Sequence, residues 1–175
     1  MNIRTLTEAD AQAYRLLRLR AVREDADAFG SSYADEAPRP LEHTIERLRA
    51  QAASADFTLG AFEDERLVGI VTFVREPGEK VRHKAHVYGM YVAPEVRGCG
   101  YGRALLTALL ARARNLTGLT QVQLSVVTRK TAARSLYLSL GFRPWGIERE
   151  ALKLGDEYLD EEYLVLFLPR QANAT

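Results

Sequence analysis

Cysteine, methionine and tryptophan are scarce in this 175-residue chain, which holds one Cys, two Met and one Trp. The lone thiol, Cys99, excludes an internal disulfide and cannot build a zinc site by itself. Histidine is sparse as well: two of the three lie in one short stretch, and no metal-ligand spacing follows, so no metal is expected. An excess of either charge is also missing, with 24 Lys+Arg against 23 Asp+Glu and a formal net charge of +1. That balance argues against bulk nucleic-acid binding and against a polybasic membrane patch. No apolar run reaches membrane-spanning length, and Met1–Leu6 lacks the apolar core of a signal peptide. A reducing cytoplasm is therefore the expected compartment. What remains is 47% hydrophobic and 27% charged, the profile of a soluble globular protein large enough for one core. One domain is expected over residues 1–170, with a short tail at 171–175.

The chain reads as alternating element types. Asn2–Leu6 is a short strand, and Thr7 and Asp10 stand at capping-box spacing before a helical face through Ala11, Tyr14, Leu17, Arg18 and Ala21. Asp25–Pro40 reads as irregular, and Leu41–Ala53 returns to helical spacing. Phe57–Phe62 and Leu67–Val74 form a hairpin about Glu63–Arg66, and Lys84–Val92 is a further strand. A glycine cluster, Arg97–Gly102, runs into a helix over Arg103–Asn115. Gln121–Val127 is a strand, Thr131–Leu140 a helix closed by Gly141, and Phe142–Lys153 pairs with Tyr158–Leu168. The order β-α-α-β-β-β-α-β-α-β-β without repeats points to one mixed α/β domain.

The glycine cluster carries the first chemical signal. Glycines alternate at Gly98, Gly100 and Gly102 between a strand and a helix start. Glycine lets successive N–H groups turn toward one point, and a helix N-terminus adds unpaired donors and a favourable dipole. The pattern suits a phosphate or pyrophosphate, or else close strand–helix packing. Two familiar phosphate motifs do not fit. A dinucleotide fingerprint requires glycine where Arg103 stands, and a P-loop requires Gly-Lys-Ser/Thr, which is missing.

Arg97-Gly98-Cys99-Gly100-Tyr101-Gly102 resembles the Arg/Gln-x-x-Gly-x-Gly/Ala pyrophosphate loop of the GNAT superfamily of N-acetyltransferases. Met90–Glu95 before it and Arg103–Leu106 after it look like that family's strand and helix. Ala133-Arg134-Ser135-Leu136-Tyr137 through Gly141-Phe142 is similar to the second family signature, Ala-x-x-Leu-Tyr-x-x-x-Gly-Phe. The resemblance implies an α+β fold: a mixed, mostly antiparallel sheet flanked by about four helices and splayed between the strands that end near Val92 and Val127. It implies acetyl-CoA as cosubstrate, with the backbone of Met90, Tyr91 and Val92 toward pantetheine amides and Gly98, Cys99, Gly100, Tyr101, Gly102 and Arg103 around the pyrophosphate. Arg97, Lys130 and Ala133 complete the cofactor set. Lys130 stands where the family usually has Asn, and either meets a phosphate or is solvated.

Acetyl transfer requires a neutral amine, a polarised thioester carbonyl and a proton for the thiolate. An alkylamine with a pKa of about 10.4 is neutral in only about one molecule in 2,500 at pH 7, so on the order of 4–5 kcal/mol must come from desolvation or a base. The resemblance implies Tyr137 as general acid; the residue-level alternative is an aromatic packing residue. Neither glutamate used as a base in the family is present, since His86 and Ser125 occupy those positions. Strand alternation places His86, Tyr88, Met90 and Val92 on one face, which makes His86 a candidate base beside a structural histidine or a water chain.

The acceptor is expected to meet the N-terminal region, where Phe29, Ser32, Tyr33 and Glu36 are candidates for one wall. A small amine or a protein or peptide amino group fits such a wall. A non-catalytic acyl-CoA sensor would keep Arg97–Gly102 without needing Tyr137, and an RNA-directed acetyltransferase toxin would share the fold and size, although the near-neutral charge speaks against nucleic acid. The C-terminal strand pair offers an edge for a homodimer.

Overall fold

The computed structural model describes residues 1–169; the expected tail at 171–175 lies outside them. Seven strands form one sheet in the order β1-β2-β3-β4-β5-β7-β6. They span Asn2–Thr5, Phe57–Glu63, Arg66–Arg75, Lys84–Val92, Gln121–Val127, Arg143–Leu154 and Glu157–Phe167 for β1 to β7. Helices α1 (Ala11–Glu24), α3 (Leu41–Ala52), α4 (Tyr101–Arg114) and α5 (Thr131–Ser139) flank it. The stretch expected to be irregular also holds a 3-10 turn at Ala26–Ala28 and a one-turn helix, α2, at Tyr33–Glu36. A local capping box makes α2, because Ser32 Oγ accepts from the Asp35 N–H while the Asp35 carboxylate answers the Ser32 N–H.

The middle strands are unbroken apolar runs because helices cover both faces. On one face Phe57 stacks on Phe73 at 4.8 Å, beneath Arg112 of α4. Gly69 lies on that side, where a Cβ would come within 3.0 Å of Leu105. Leu105, Leu106, Leu109, Leu110 and Ala113 are the buried stripe that α4 lays there. On the other face the buried pair Thr58 and Thr72 hydrogen-bond each other at 2.9 Å, and Thr58 is also 3.0 Å from Gln51 Oε1 of α3.

Among the described residues β4 and β5 are the only parallel neighbours, and they pair only over Lys84–His86 and Gln121–Gln123. Beyond that they diverge, while β5 keeps full antiparallel pairing with β7 up to Val127 opposite Glu161. The result is a wedge-shaped opening in mid-sheet.

Ion pairs brace the periphery and set an acid limit. The Arg20 guanidinium holds the Glu95 carboxyl down to about 2 from 4.5, and Arg4 lowers Asp10 from 3.8. Carboxyls depressed in the folded state stabilise above their ordinary values and lose that contribution as pH falls through the folded ones. We therefore expect a melting temperature that is flat near neutrality and declines from about pH 4.5 toward pH 2. Scanning calorimetry across that range checks it; a midpoint unchanged down to pH 3 would contradict these pairs.

Candidate active site

The opening between β4 and β5 is a cleft of about 900 Å³. Its floor and walls come from β4 (Val87–Val92), β5 (Leu124–Val127), the loop into α4, and the start of α5. Because β4 is not paired to β5 beyond His86, its edge offers free backbone amides to whatever enters.

At one end lies the glycine loop. Gly98 and Gly100 have φ of +79° and +86°, a region few other residues adopt, and a Cβ on either would meet nothing within 4 Å. Gly100 is the left-handed N-cap of α4 and gives it no side-chain cap. The first-turn N–H groups therefore stand without a side-chain acceptor around an open concavity, which fits a pyrophosphate. Helix α4 begins at Tyr101, two positions before the expected start, so its dipole is aimed at that concavity. Gly102 sits tightly, with Leu136 and Met90 both 3.3 Å from the place of a Cβ. Cys99 is exposed and outside the cleft lining.

The lips carry cations that are already paired. Arg97 from the loop before α4 and Lys130 from the loop before α5 both meet Asp25. Lys130 and Arg129 both meet Asp27. Burial works against the Asp27 charge, but Lys130 and Arg129 outweigh it and hold its carboxyl low. The 3-10 turn after α1 is thus an acidic strap between the two lips. Arg103 donates to Ser139 Oγ at 2.8 Å.

In the middle, Tyr137 of α5 is buried and lines the cleft with Ala133 and Leu136. Its ring makes an edge contact with Phe142 at 6.1 Å, and burial alone pushes its phenol up to about 12. The hydroxyl therefore keeps its proton across the physiological range.

His86 is not brought into the cleft. A bulge in β4 opposite Ile70–Thr72 breaks the expected alternation around Gly89, whose φ is +60°. An extra residue exchanges the two faces. Met90 and Val92 therefore lie against Gly102 of α4, while His86 stacks on Tyr88 and its Nε2 is 2.9 Å from Glu76.

Of the expected acceptor wall, Phe29 lines the cleft and Ser32, Tyr33 and Glu36 do not. Helix α2 takes them elsewhere: Ser32 caps it, Tyr33 lies under Arg23, and Glu36 binds Arg18. Ser31 of the same loop, which the sequence also offered for that wall, does line the cleft, together with Glu161 of the acidic C-terminal pair and with Arg18 and Ser125, which the sequence did not offer as acceptor contacts. Among the described residues no His/Cys/Asp/Glu group could hold a metal, and no helix is long and apolar enough to cross a membrane.

Comparison with known proteins places this architecture. Mycothiol acetyltransferase of Geodermatophilus obscurus is 36% identical over 127 residues, covering 69% of this chain and 39% of that relative. The chain thus spans well under half the length of the curated relatives it matches. A GNAT-family acetyltransferase from Streptococcus pneumoniae superposes with a TM-score of 0.89 at 25% identity, over 96% of this chain and 99% of that one. The fold is also that of yncA from Salmonella typhimurium, solved with its cofactor acetyl-CoA (TM-score 0.86, 23% identity, 100% and 98% covered). The model of the acetyltransferase (GNAT) family matches residues 19–142. With its glycine loop, its splayed strands and Tyr137 all inside that span, the chain belongs to the GNAT family of acetyltransferases.

Proposed function

We propose that the protein is an N-acetyltransferase that moves an acetyl group from acetyl-CoA to a primary amine by direct attack. The observation that carries this is the placement of one buried, protonated phenol, Tyr137, between an empty-walled glycine cradle and a free strand edge in the same cleft.

Acetyl-CoA supplies an activated thioester carbonyl when bound. The N–H groups from Gly98 to Arg103 hold its pyrophosphate, with Arg97 and Lys130 at the lips. The open edge of β4 at Met90–Val92 pairs with the pantetheine amides as a strand would. A β4 N–H facing the wedge polarises the carbonyl oxygen. Tyr137 donates to the sulfur as the thiolate leaves; with its proton held to about pH 12, it remains a donor wherever the enzyme works. The loop binds through its backbone, so the Cys99 side chain is free to face solvent.

A screen of primary amines against acetyl-CoA, read as free CoA released, tests the reading. Amine-dependent release with an acetylated product is expected. CoA binding without release for every amine would instead describe a sensor of acyl-CoA.

A further inference from the structure

Two side chains of opposite charge line the cleft, one from α1 and one from β7. The first is Arg18 of α1. Its Nε lies 3.0 Å from both Glu36 oxygens, and its Nη2 is 2.6 Å from Glu36 Oε1 and 2.6 Å from Ser31 Oγ. The guanidinium also lies 4.6 Å over the Phe29 ring. Two of its three nitrogens are thus fixed. The third, Nη1, is buried without any partner, and no other described buried side-chain nitrogen or oxygen is in that position. It faces Gly89, where a Cβ would stand 3.7 Å from it, and both residues line the cleft. A buried charged donor left unpaired is unfavourable, and an oxygen anion from a bound molecule is the acceptor it lacks.

The second is Glu161 of β7, opposite Val127 at the mouth of the wedge. Burial and the neighbouring Glu148 raise its carboxyl, with a Ser125 hydrogen bond acting the other way. Tyr163, paired across from Ser125, binds Glu148 and keeps that acid in place. A carboxylate so placed suits an ammonium and can take its proton.

We propose that the acceptor is a small zwitterionic amine of the amino-acid type, its anionic oxygen group on Arg18 Nη1 and its amino group on Glu161. This rests on the acetyltransferase reading above. As the new N–C bond forms, the C–S bond breaks and its electron pair goes to sulfur. The ammonium loses two protons in all: one passes to the Glu161 carboxylate and then to solvent, and the other ends on the thiolate. Glu161 is therefore the base, the role that strand alternation had pointed toward His86. An N-terminal amino group of a protein offers only a neutral carbonyl oxygen beside it, a weaker partner for Nη1 than a carboxylate.

The test compares the twenty free amino acids with their carboxamides, by CoA release and, without acetyl-CoA, by thermal shift. Wild-type protein should prefer at least one acid over its amide by about 10- to 100-fold. Arg18→Gln should erase that preference by lowering the acid alone, and the acid–amide comparison in wild type decides the point even where the variant fails to fold. Glu161→Gln should lower kcat about 100-fold and remove the acid limb of the pH–rate profile, whereas His86→Gln should keep it. Amides used as well as acids, or no amino acid shifting the melting curve, would overturn the proposal. Release of no CoA with any amine would defeat the acetyltransferase reading, and the thermal-shift arm would still decide this one.

Discussion

Tyr137→Phe is expected to lower kcat about 100-fold while leaving acetyl-CoA affinity within about twofold. The substitution removes one oxygen from a buried ring and leaves its edge contact with Phe142 in place, so packing of α5 against the strand edge is kept. What is lost is a donor whose proton burial holds to about pH 12. The sign of that shift matters. Burial disfavours the phenolate, so at neutral pH the group can donate a hydrogen bond and cannot act as a base. A departing thiolate, whose conjugate acid has a pKa of about 8.5, is the partner that gains from such a donor. The loss should therefore fall on kcat and spare binding, because the interaction strengthens as charge gathers on sulfur. Steady-state kinetics with calorimetric titration of acetyl-CoA separates the two. Unchanged turnover would remove Tyr137 from the chemistry and leave it a packing residue.

Gly100→Val should act on the other quantity, weakening acetyl-CoA binding about 10- to 100-fold. Gly100 sits at φ +86° as the N-cap of α4, and a β-branched side chain there is an outlier that stores about 1–3 kcal/mol of strain. The chain relieves it by rotating the peptide, which turns the N–H groups of the helix's first turn away from the concavity. The new methyl groups also enter space in which nothing lies within 4 Å of a Cβ. Gly146 on the edge strand β6, equally open but without the left-handed backbone, is the control, and Gly146→Ala should bind as wild type does. Titration calorimetry on both variants, with melting curves to register global stability, decides it. Wild-type affinity in Gly100→Val would show that the loop is a packing turn.

How much of this was legible in the sequence depended on the range of the forces involved. Strands β4 and β5 were readable to the residue, because Lys84–Val92 and Gln121–Val127 carry their own apolar alternation between turn signals. The glycine loop was readable for the same reason, its special backbone being written in its composition. Helix α2 was not: its capping box hides in a polar stretch without apolar periodicity. The bulge at Gly89 was also out of reach, since a bulge exists only relative to a partner strand, and it moved His86 out of the expected face. Arg18 read as one more position on an amphipathic helix. Its meaning comes from Ser31 and Glu36, 13 and 18 residues away, which fix two nitrogens and leave the third. Glu161 lay inside an acidic C-terminal run that looks the same whether it faces water or a cleft.

The strap formed by Asp25 and Asp27 changes what kind of event cosubstrate binding is. Arg97, Arg129 and Lys130 do not wait as bare positive charge, for each already holds an internal carboxylate. A phosphate that reaches them meets cations whose charge is already shared with those carboxylates, so loading either displaces the acids or adds to the pairs, and it does not neutralise bare charge. Single small anions deliver too few contacts to displace a paired, tethered acid, whereas a molecule bringing several phosphate oxygens at once can do so in one step. Inorganic phosphate is therefore expected to compete poorly at this mouth with a molecule that brings several phosphate groups at once.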